Sequence, residues 1–377
     1  MKNSMSWIKV IFVNIFITFA LIGILLLTPS IGYLAYTALI SGGVITDVSD
    51  KRSELKIYAN YDWADTHFKE IGTLTTSYYD YISWRRDDFN GETINIHNGL
   101  RKSLKVDAVE KIKSEYWFFG GSTTWGSGVS DDFTYPSLFA KNTGYPVINF
   151  GESAYISRQS LSYLNNYLIQ QQQRDLSGKN IIFYDGVNDV SHRCRREISG
   201  LGSGREAQIQ NAVISSTANK FSVSKTFEQL QEFFIYAYTK IFSSNNYSSS
   251  YMQPYSCASD LARAIEVANS LVDTWEIASD LVRSRGGTFT AVLQPVAYYG
   301  NPKIDYLNLT SPNDLNVAKQ YEAVYPLIIE AAARRNINFI NLSNAYDDCS
   351  NCYIDYCHVG PQAHLMLVEQ LESLLNI

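Results

Sequence analysis

From residue 115 onward, short apolar runs alternate with longer segments whose apolar residues recur at helical spacing. Runs of this length suit strands that are buried on both faces, and their alternation with helices is typical of a parallel sheet. The pattern predicts five strands, at 115–119, 146–150, 180–184, 288–293 and 338–341. It predicts helices at 135–141, 158–174, 259–284, 315–335 and 361–375. The expected fold class is therefore α/β, with the main domain over residues 114–377.

Two further regions differ from this alternation. Residues 31–113 are polar and aromatic, with turn signals at Asn90-Gly91 and Asn98-Gly99, and we interpret them as a lead-in that packs on the main domain. Residues 195–255 are rich in Ser and Asn around one predicted helix. We interpret them as an insertion on the carboxyl edge of the sheet, where loops of open α/β folds serve function, and expect it to cover the substrate.

The N-terminus contains an apolar run at residues 10–27, interrupted only by Asn14 and Thr18 and long enough to cross a bilayer. Lys2 and Lys9 precede it, and the next charged residue is Asp47. The positive-inside rule then predicts a cytoplasmic tail at 1–9, a transmembrane anchor at 10–30 and an extracytoplasmic body. A cleaved signal peptide is the alternative, with a small-residue site at 35–38, but the run exceeds the usual length of its apolar region.

The amino-acid composition limits which classes of partner and which cellular compartment suit this chain. With 31 Lys and Arg against 37 Asp and Glu, the mildly acidic chain offers no general attraction for nucleic acid. Hydrophobic residues make up 46% of it, enough for a sizeable core. Five cysteines suit an oxidising compartment with up to two disulfides, which leaves one thiol unpaired. A lone Cys349-x-x-Cys352 pair favours a local disulfide over a zinc or redox site, and we expect no metal and no cofactor.

Candidate chemistry begins where the first predicted strand ends, in the stretch YWFFGGSTTWGSG at residues 116–128. Glycine tolerates the sharp turn that a strand end requires, so Ser122 arrives at the carboxyl edge of the sheet, placed like a nucleophile. A helix N-cap is the alternative reading of this serine. The second and third strands end in Gly151 and Asn188, which brings a glycine and an amide to the same edge.

The last strand is followed by IDYCHVGPQAH, in which Asp355 stands three residues before His358. Gly360-Pro361 then opens a helix, with Pro in its preferred first-turn position. This spacing lets one short turn hold the carboxylate against the imidazole. The carboxylate would fix the ring tautomer and stabilise the imidazolium once His358 has taken the serine proton.

These four blocks, Gly-x-Ser, Gly, Gly-x-Asn-Asp and Asp-x-x-His in that order over residues 115–377, resemble the SGNH hydrolase superfamily, also called GDSL-type esterases. The resemblance implies a flavodoxin-like three-layer α/β/α sandwich with a five-stranded parallel sheet in the order 2-1-3-4-5. It implies Ser122 as nucleophile, His358 as base and Asp355 as its partner. It also implies oxyanion donors at the Ser122 and Gly151 backbone N–H groups and the Asn188 amide. Gly121 departs from the family, which usually has Asp at this position.

Aromatic and imidazole side chains near these blocks are candidates for substrate contact, namely Trp125, Tyr155 and His192. The function we predict is an extracytoplasmic serine esterase that removes acyl groups, O-acetyl above all, from a cell-surface polysaccharide. The same residues would serve an O-acetyltransferase. A non-catalytic glycan-binding or assembly module is a further alternative, as is a lipolytic enzyme, which would need an apolar trough beside Ser122.

Overall fold

The computed structural model describes residues 14, 17–18, 50–104, 114–195 and 255–377. The chain divides into two compact units, one of residues 50–210 and 253–377 and one of residues 1–49 and 211–252. In the second unit the description is limited to Asn14, Ile17 and Thr18, which are helical and exposed.

Ten strands, eight α-helices and four short 3₁₀-helices are found among the described residues of the first unit, the last at Lys51–Glu54, Lys56–Tyr58, Asp131–Phe133 and Asp305–Leu307. The strands are β1 (Thr76–Tyr79), β2 (Ser83–Arg86), β3 (Phe89–Asn90), β4 (Asn95–His97), β5 (Leu100–Arg101), β6 (Glu115–Gly120), β7 (Val147–Asn149), β8 (Lys179–Asp185), β9 (Thr288–Leu293) and β10 (Phe339–Asn341). The helices are α1 (Ala64–Thr73), α2 (Ser122–Trp125), α3 (Tyr135–Thr143), α4 (Ser157–Gln170), α5 (Val187–Arg193), α6 (Leu261–Arg283), α7 (Pro312–Ala333) and α8 (Pro361–Leu375).

The main sheet has eight strands in the order β10-β9-β8-β6-β7-β5-β4-β3. The five strands β6 to β10 pair in parallel, and numbered along the chain their order is 2-1-3-4-5, as predicted. Strands β5, β4 and β3 extend this sheet with antiparallel pairing at the edge of β7. The lead-in thus contributes three strands to the sheet, an extension that the sequence pattern does not reveal.

Helices cover both faces of the parallel strands. On β6, Trp117 and Phe119 point into the core formed with α4, α6 and α7, whereas Tyr116 and Phe118 point into the core formed with α3 and α8. This alternation is the two-residue period of a strand with two buried faces. The predicted three-layer α/β/α arrangement is therefore present.

Polar capping residues determine where α6 and α7 begin, and both starts differ from the predicted ones. Ser311 and Asp314 form a capping box before α7, so this helix begins at Pro312 and not at the first apolar residue, Leu315. The Asp260 side chain accepts from the N–H of Arg263 at the start of α6.

Two disulfides are present among the described residues, Cys194–Cys257 and Cys349–Cys352, and Cys357 is a buried free thiol. The local 349–352 bridge was predicted. The other bridge joins the two ends of the predicted insertion, where Arg195 and Tyr255 also pair. Residues 196–254 of that insertion lie outside the described residues.

None of the described helices combines the length and the apolar character that a membrane span requires. The predicted anchor at 10–30 lies outside the described residues, apart from Asn14, Ile17 and Thr18.

Candidate active site

The turn that carries Ser122 is built by glycines. Strand β6 ends at Gly120, whose φ of 153° favours glycine, and α2 ends at Gly126, whose φ is 95°. Gly121 occupies the N-cap position, so Ser122 is the first helical residue and is not the cap. The serine is 8% exposed, and its Oγ lies 2.7 Å from Nε2 of His358. Ser122 therefore points its hydroxyl at an imidazole.

Asp355 and His358 lie in one short turn ahead of α8. Oδ2 of Asp355 lies 2.7 Å from Nδ1 of His358. Its other oxygen, Oδ1, accepts the backbone N–H groups of His358 at 2.7 Å and Cys357 at 2.9 Å. The turn itself thus holds the carboxylate, and the carboxylate holds the ring. The predicted juxtaposition of Ser122, His358 and Asp355 is present.

The electrostatics of this pair suit a general base. Burial alone would raise the pKa of Asp355, but the charge of His358 and the hydrogen bonds to the carboxylate outweigh it and lower that pKa below its ordinary value. Burial opposes a charge on His358, yet its neighbours raise its pKa well above the ordinary value. Among these neighbours, Cys357 and Asp355 could raise the pKa of His358 by carrying a negative charge. Burial raises the pKa of the Cys357 thiol, so the thiol is uncharged at neutral pH. We therefore attribute the raised pKa of His358 to the carboxylate of Asp355.

Asn188 stands on the first turn of α5, beside the nucleophile turn. Its Nδ2 donates to the backbone carbonyl of Tyr155 at 2.8 Å, which leaves its second amide hydrogen for another acceptor. A Cβ at Gly121 would lie 2.5 Å from this nitrogen, so only glycine fits there without moving Asn188. The departure from the usual Asp at position 121 thus has a steric reason in this chain.

The structure contradicts the role predicted for the backbone N–H of Gly151. This group donates to Oδ1 of Asn149 at 2.9 Å and is not available to a substrate oxygen. Asn149 in turn donates to the carbonyl of Thr124 at 2.9 Å, which fixes the strand end against the nucleophile turn. The glycine is needed because a Cβ would collide with the backbone of Thr124 and Trp125.

Ala154 is a donor candidate that the sequence does not reveal. Its φ is 61°, in the left-handed region, and it immediately precedes Tyr155, whose carbonyl accepts from Asn188. Within the described parts of the chain, the backbone N–H groups of Ala154 and Ser122 have no acceptor. Alanine is not typical of left-handed turns, so the sequence gives no local signal for this position.

Two of the three predicted substrate contacts are wrong because the side chains are buried. Trp125 is 0% exposed, with the guanidinium carbons of Arg86 and Arg101 3.7 and 4.2 Å from its ring centroid. Tyr155 is 1% exposed, and its hydroxyl donates to the carbonyl of Trp84. His192 is half-buried on α5, one turn beyond Asn188, and its contact with substrate stays a prediction.

One group of possible metal ligands is found among the described residues, and it coincides with this site. Ligand atoms of Asp355, Cys357 and His358 lie within 4.8 Å of one another. Nδ1 of His358 and Oδ2 of Asp355 are already engaged with each other, and burial keeps the thiol of Cys357 protonated. The donor set therefore fits proton transfer better than metal binding.

No protein-family model matches this sequence, and a comparison with curated protein sequences finds no match either. Among solved structures, a lipolytic protein of the G-D-S-L family from Veillonella parvula is 15% identical, with a TM-score of 0.38 over 70% of this chain and 100% of that one. An extracellular lipase from Streptomyces rimosus is 12% identical, with a TM-score of 0.37 over 69% and 99%. An acetyl-xylooligosaccharide esterase from Geobacillus is 11% identical, with a TM-score of 0.36 over 70% and 94%. At these levels of similarity, we base the function on the geometry of the site.

Proposed function

We propose that this protein is a serine ester hydrolase of the SGNH type that acts on acyl esters, O-acetyl esters above all. The observation that carries the proposal is the hydrogen-bonded series from Ser122 Oγ to His358 Nε2 and from His358 Nδ1 to Asp355 Oδ2, each link being 2.7 Å. A serine hydroxyl is a weak nucleophile until a base within hydrogen-bond reach accepts its proton. Residues 122 and 358 come from opposite ends of the domain, and this placement meets that requirement.

The reaction follows from the geometry. As the Oγ of Ser122 attacks the ester carbonyl, Nε2 of His358 takes its proton, and Asp355, kept ionised by its lowered pKa, stabilises the imidazolium. The bond to the alkoxy oxygen then breaks, and the imidazolium donates its proton to this leaving group. A water molecule, deprotonated by the same imidazole, then attacks the carbonyl of the acyl-serine. The bond between the acyl carbon and Oγ breaks, the imidazolium returns its proton to Oγ of Ser122, and the carboxylic acid is released.

Three hydrogen-bond donors are proposed for the tetrahedral oxyanion. The backbone N–H of Ser122 and the second amide hydrogen of Asn188 were predicted, and the N–H of Ala154 takes the place of Gly151. Donors fixed by the fold stabilise developing charge without reorganising at the moment of reaction. The link between Asn188 and the carbonyl of Tyr155 fixes the amide in this way.

We propose a polysaccharide of the cell surface as carrier of the acyl group, with the enzyme tethered by residues 10–30 and its body outside the cytoplasm. Two disulfides among the described residues support an oxidising compartment. Fractionation of cells expressing the full chain tests the tether. We expect the protein in the membrane pellet after alkaline carbonate washing and in solution after detergent extraction. Release by carbonate alone would contradict an integral anchor.

The function itself is tested with the full-length chain in detergent and p-nitrophenyl acetate as the ester. We expect hydrolysis by the wild type, and a loss of about 10⁶-fold in turnover for Ser122→Ala, as for other triad serines. Ser127→Ala in the same loop is the matched control and should keep wild-type turnover. Equal rates for Ser122→Ala and wild type would contradict the proposal.

The same acyl-enzyme would be resolved by a sugar hydroxyl in a transferase. Products formed with an acetylated donor and an acceptor glycan separate the two outcomes: free acetate supports hydrolysis, and an acetylated acceptor shows transfer. A chain that cleaves no ester, transfers no acetyl group and binds glycan would be the binding module instead.

A further inference from the structure

The nucleophile turn has little internal support. Helix α2 spans four residues, with one hydrogen bond from the N–H of Trp125 to the carbonyl of Gly121 and two that close on the carbonyl of Ser122. Helices this short do not hold their shape alone, because nucleation is costly. The position of Ser122 must therefore be fixed by groups outside the turn.

The carbonyls at the end of this turn are held by the side chains of two paired strands. Arg101 on β5 and Asn149 on β7 are register partners. Asn149 donates to the carbonyl of Thr124, and Nη1 of Arg101 donates to the carbonyls of Trp125 at 3.1 Å and Gly126 at 2.6 Å. Three consecutive carbonyls at the end of α2 are thus bound by side chains of β5 and β7, and that of Gly126 also accepts the N–H of Val129.

The side chain of Arg101 is buried, and its hydrogen-bonding capacity is fully used. The residue is 2% exposed, and all five of its N–H donors have acceptors. Besides the two carbonyls of the turn, these are Oδ1 of Asp131 at 2.9 Å and the carbonyls of Val129 at 2.7 Å and Thr93 at 3.4 Å. Burial lowers the pKa of Arg101 to about 10, so the guanidinium remains charged at neutral pH.

Trp125 connects the side chain of Arg101 to the loop beside Asn188, residues 152–155. The guanidinium groups of Arg101 and Arg86 both lie over its indole ring, and Arg86 forms a buried ion pair with Glu152 at 2.9 Å. Glu152 also accepts the N–H of Ser153 and donates its own N–H to the carbonyl of Gly120. The series Asp131–Arg101–Trp125–Arg86–Glu152 therefore joins the nucleophile turn to residues 152–155, which carry Ala154 and the carbonyl that holds Asn188.

We propose that Arg101, supplied by the lead-in, is a positioning residue that sets the location of Ser122 relative to His358 and Asn188. This rests on the proposed function. Lysine keeps the charge but offers three donors in place of five and no planar fork, so it cannot hold the Trp125, Gly126, Val129 and Asp131 acceptors together. Misplacement of a reacting atom by about 1 Å can cost on the order of 10²-fold in rate.

The test compares Arg101→Lys with wild type, with Val272→Ala as a control. Val272 is fully buried in α6 and does not belong to the nucleophile turn, so its truncation lowers stability without touching Ser122. Active sites are titrated by the burst of p-nitrophenol, which separates the active fraction from the rate per site. We expect Arg101→Lys to lower kcat and the rate of fluorophosphonate labelling per titrated site by about 10²-fold, with KM within about twofold. Val272→Ala should lower only the melting temperature.

An unchanged rate per site in Arg101→Lys would overturn the proposal, even if its melting temperature falls. Amide hydrogen exchange gives a readout that does not depend on catalysis. Here the proposal predicts faster exchange at residues 125–127 in Arg101→Lys than in Val272→Ala, and equal exchange would overturn it. Failure of the wild type to label at Ser122 would contradict the proposed function, and the exchange comparison would still decide the role of Arg101.

Discussion

At the scale of single residues, the basicity of His358 depends on Asp355. The carboxylate raises the pKa of His358 above its ordinary value, and the imidazole must be neutral to accept the serine proton. Activity should therefore fall as the pH drops below that raised pKa.

In Asp355→Asn, the pKa of His358 loses this support, so the acid limb of the kcat/KM profile should move to lower pH. Turnover should fall by about 10⁴-fold because the ring tautomer is no longer fixed. An acid limb that stays in place would contradict the assignment, and Asp305→Asn, at an exposed carboxylate, is the control.

The amide of Asn188 is expected to act in the transition state and not in binding. Asn188→Ala removes one oxyanion donor, and by analogy with other such donors kcat should fall by about 10²- to 10³-fold with little change in KM. Steady-state kinetics with p-nitrophenyl acetate provide the measurement. Asn165→Ala, on the exposed side of α4, should behave as wild type. A rise in KM at constant kcat would assign Asn188 to substrate binding instead.

Residues of the site differ in how far the sequence predicts them. Ser122, His358 and Asp355 follow from strand ends and from a three-residue spacing, which are local features, and the structure brings them together. Trp125 is covered by Arg101, which is distant in sequence, and the N–H of Gly151 is taken by Asn149, which stands only two residues earlier; the spacing of apolar residues reports neither contact. A strand end identifies where a group lies but not where its N–H points.

At the scale of elements, the turn from β6 to α2 leaves no room for a Cβ at position 121 unless the side chain of Asn188 moves. Gly121→Asp introduces the carboxylate usual in the resembled family, but its Cβ would lie 2.5 Å from Nδ2 of Asn188. We expect the amide to be displaced and kcat to fall at least about 10-fold, in a chain that still folds. Gly72→Asp on α1, where a Cβ meets open space, is the matched control. Wild-type turnover of Gly121→Asp would show that Asn188 has room to adjust.

The five parallel strands and five long helices were predictable because apolar periodicity reports burial directly. The sequence pattern does not predict the helices α1, α2 and α5 or the pairing of β5 with β7. These elements are short or belong to the lead-in. Strand β5 has two residues, and one register pair joins it to β7. Its place is decided by Arg101 and its partners and not by strand propensity, which tertiary context readily overrides.

At the scale of the whole molecule, the two disulfides should contribute unequally to stability. Cys194–Cys257 closes a separation of 63 residues and Cys349–Cys352 one of 3. Loop-closure entropy then predicts about 4 kcal/mol for the first and about 2 kcal/mol for the second. Denaturant unfolding of the Cys194→Ser/Cys257→Ser and Cys349→Ser/Cys352→Ser variants measures the difference. A larger loss from the local bridge would contradict this ranking.

The proposed mechanism requires one hydroxyl, that of Ser122, to carry the acyl group during turnover. Peptide mass spectrometry of the full chain, quenched during turnover of an acetyl ester, locates that group directly. We predict acetyl on Ser122 in the wild type and no acetylated residue in Ser122→Ala. Continued ester cleavage with the acetyl group on another residue, or with no acyl-enzyme on Ser122 under any quench, would contradict it.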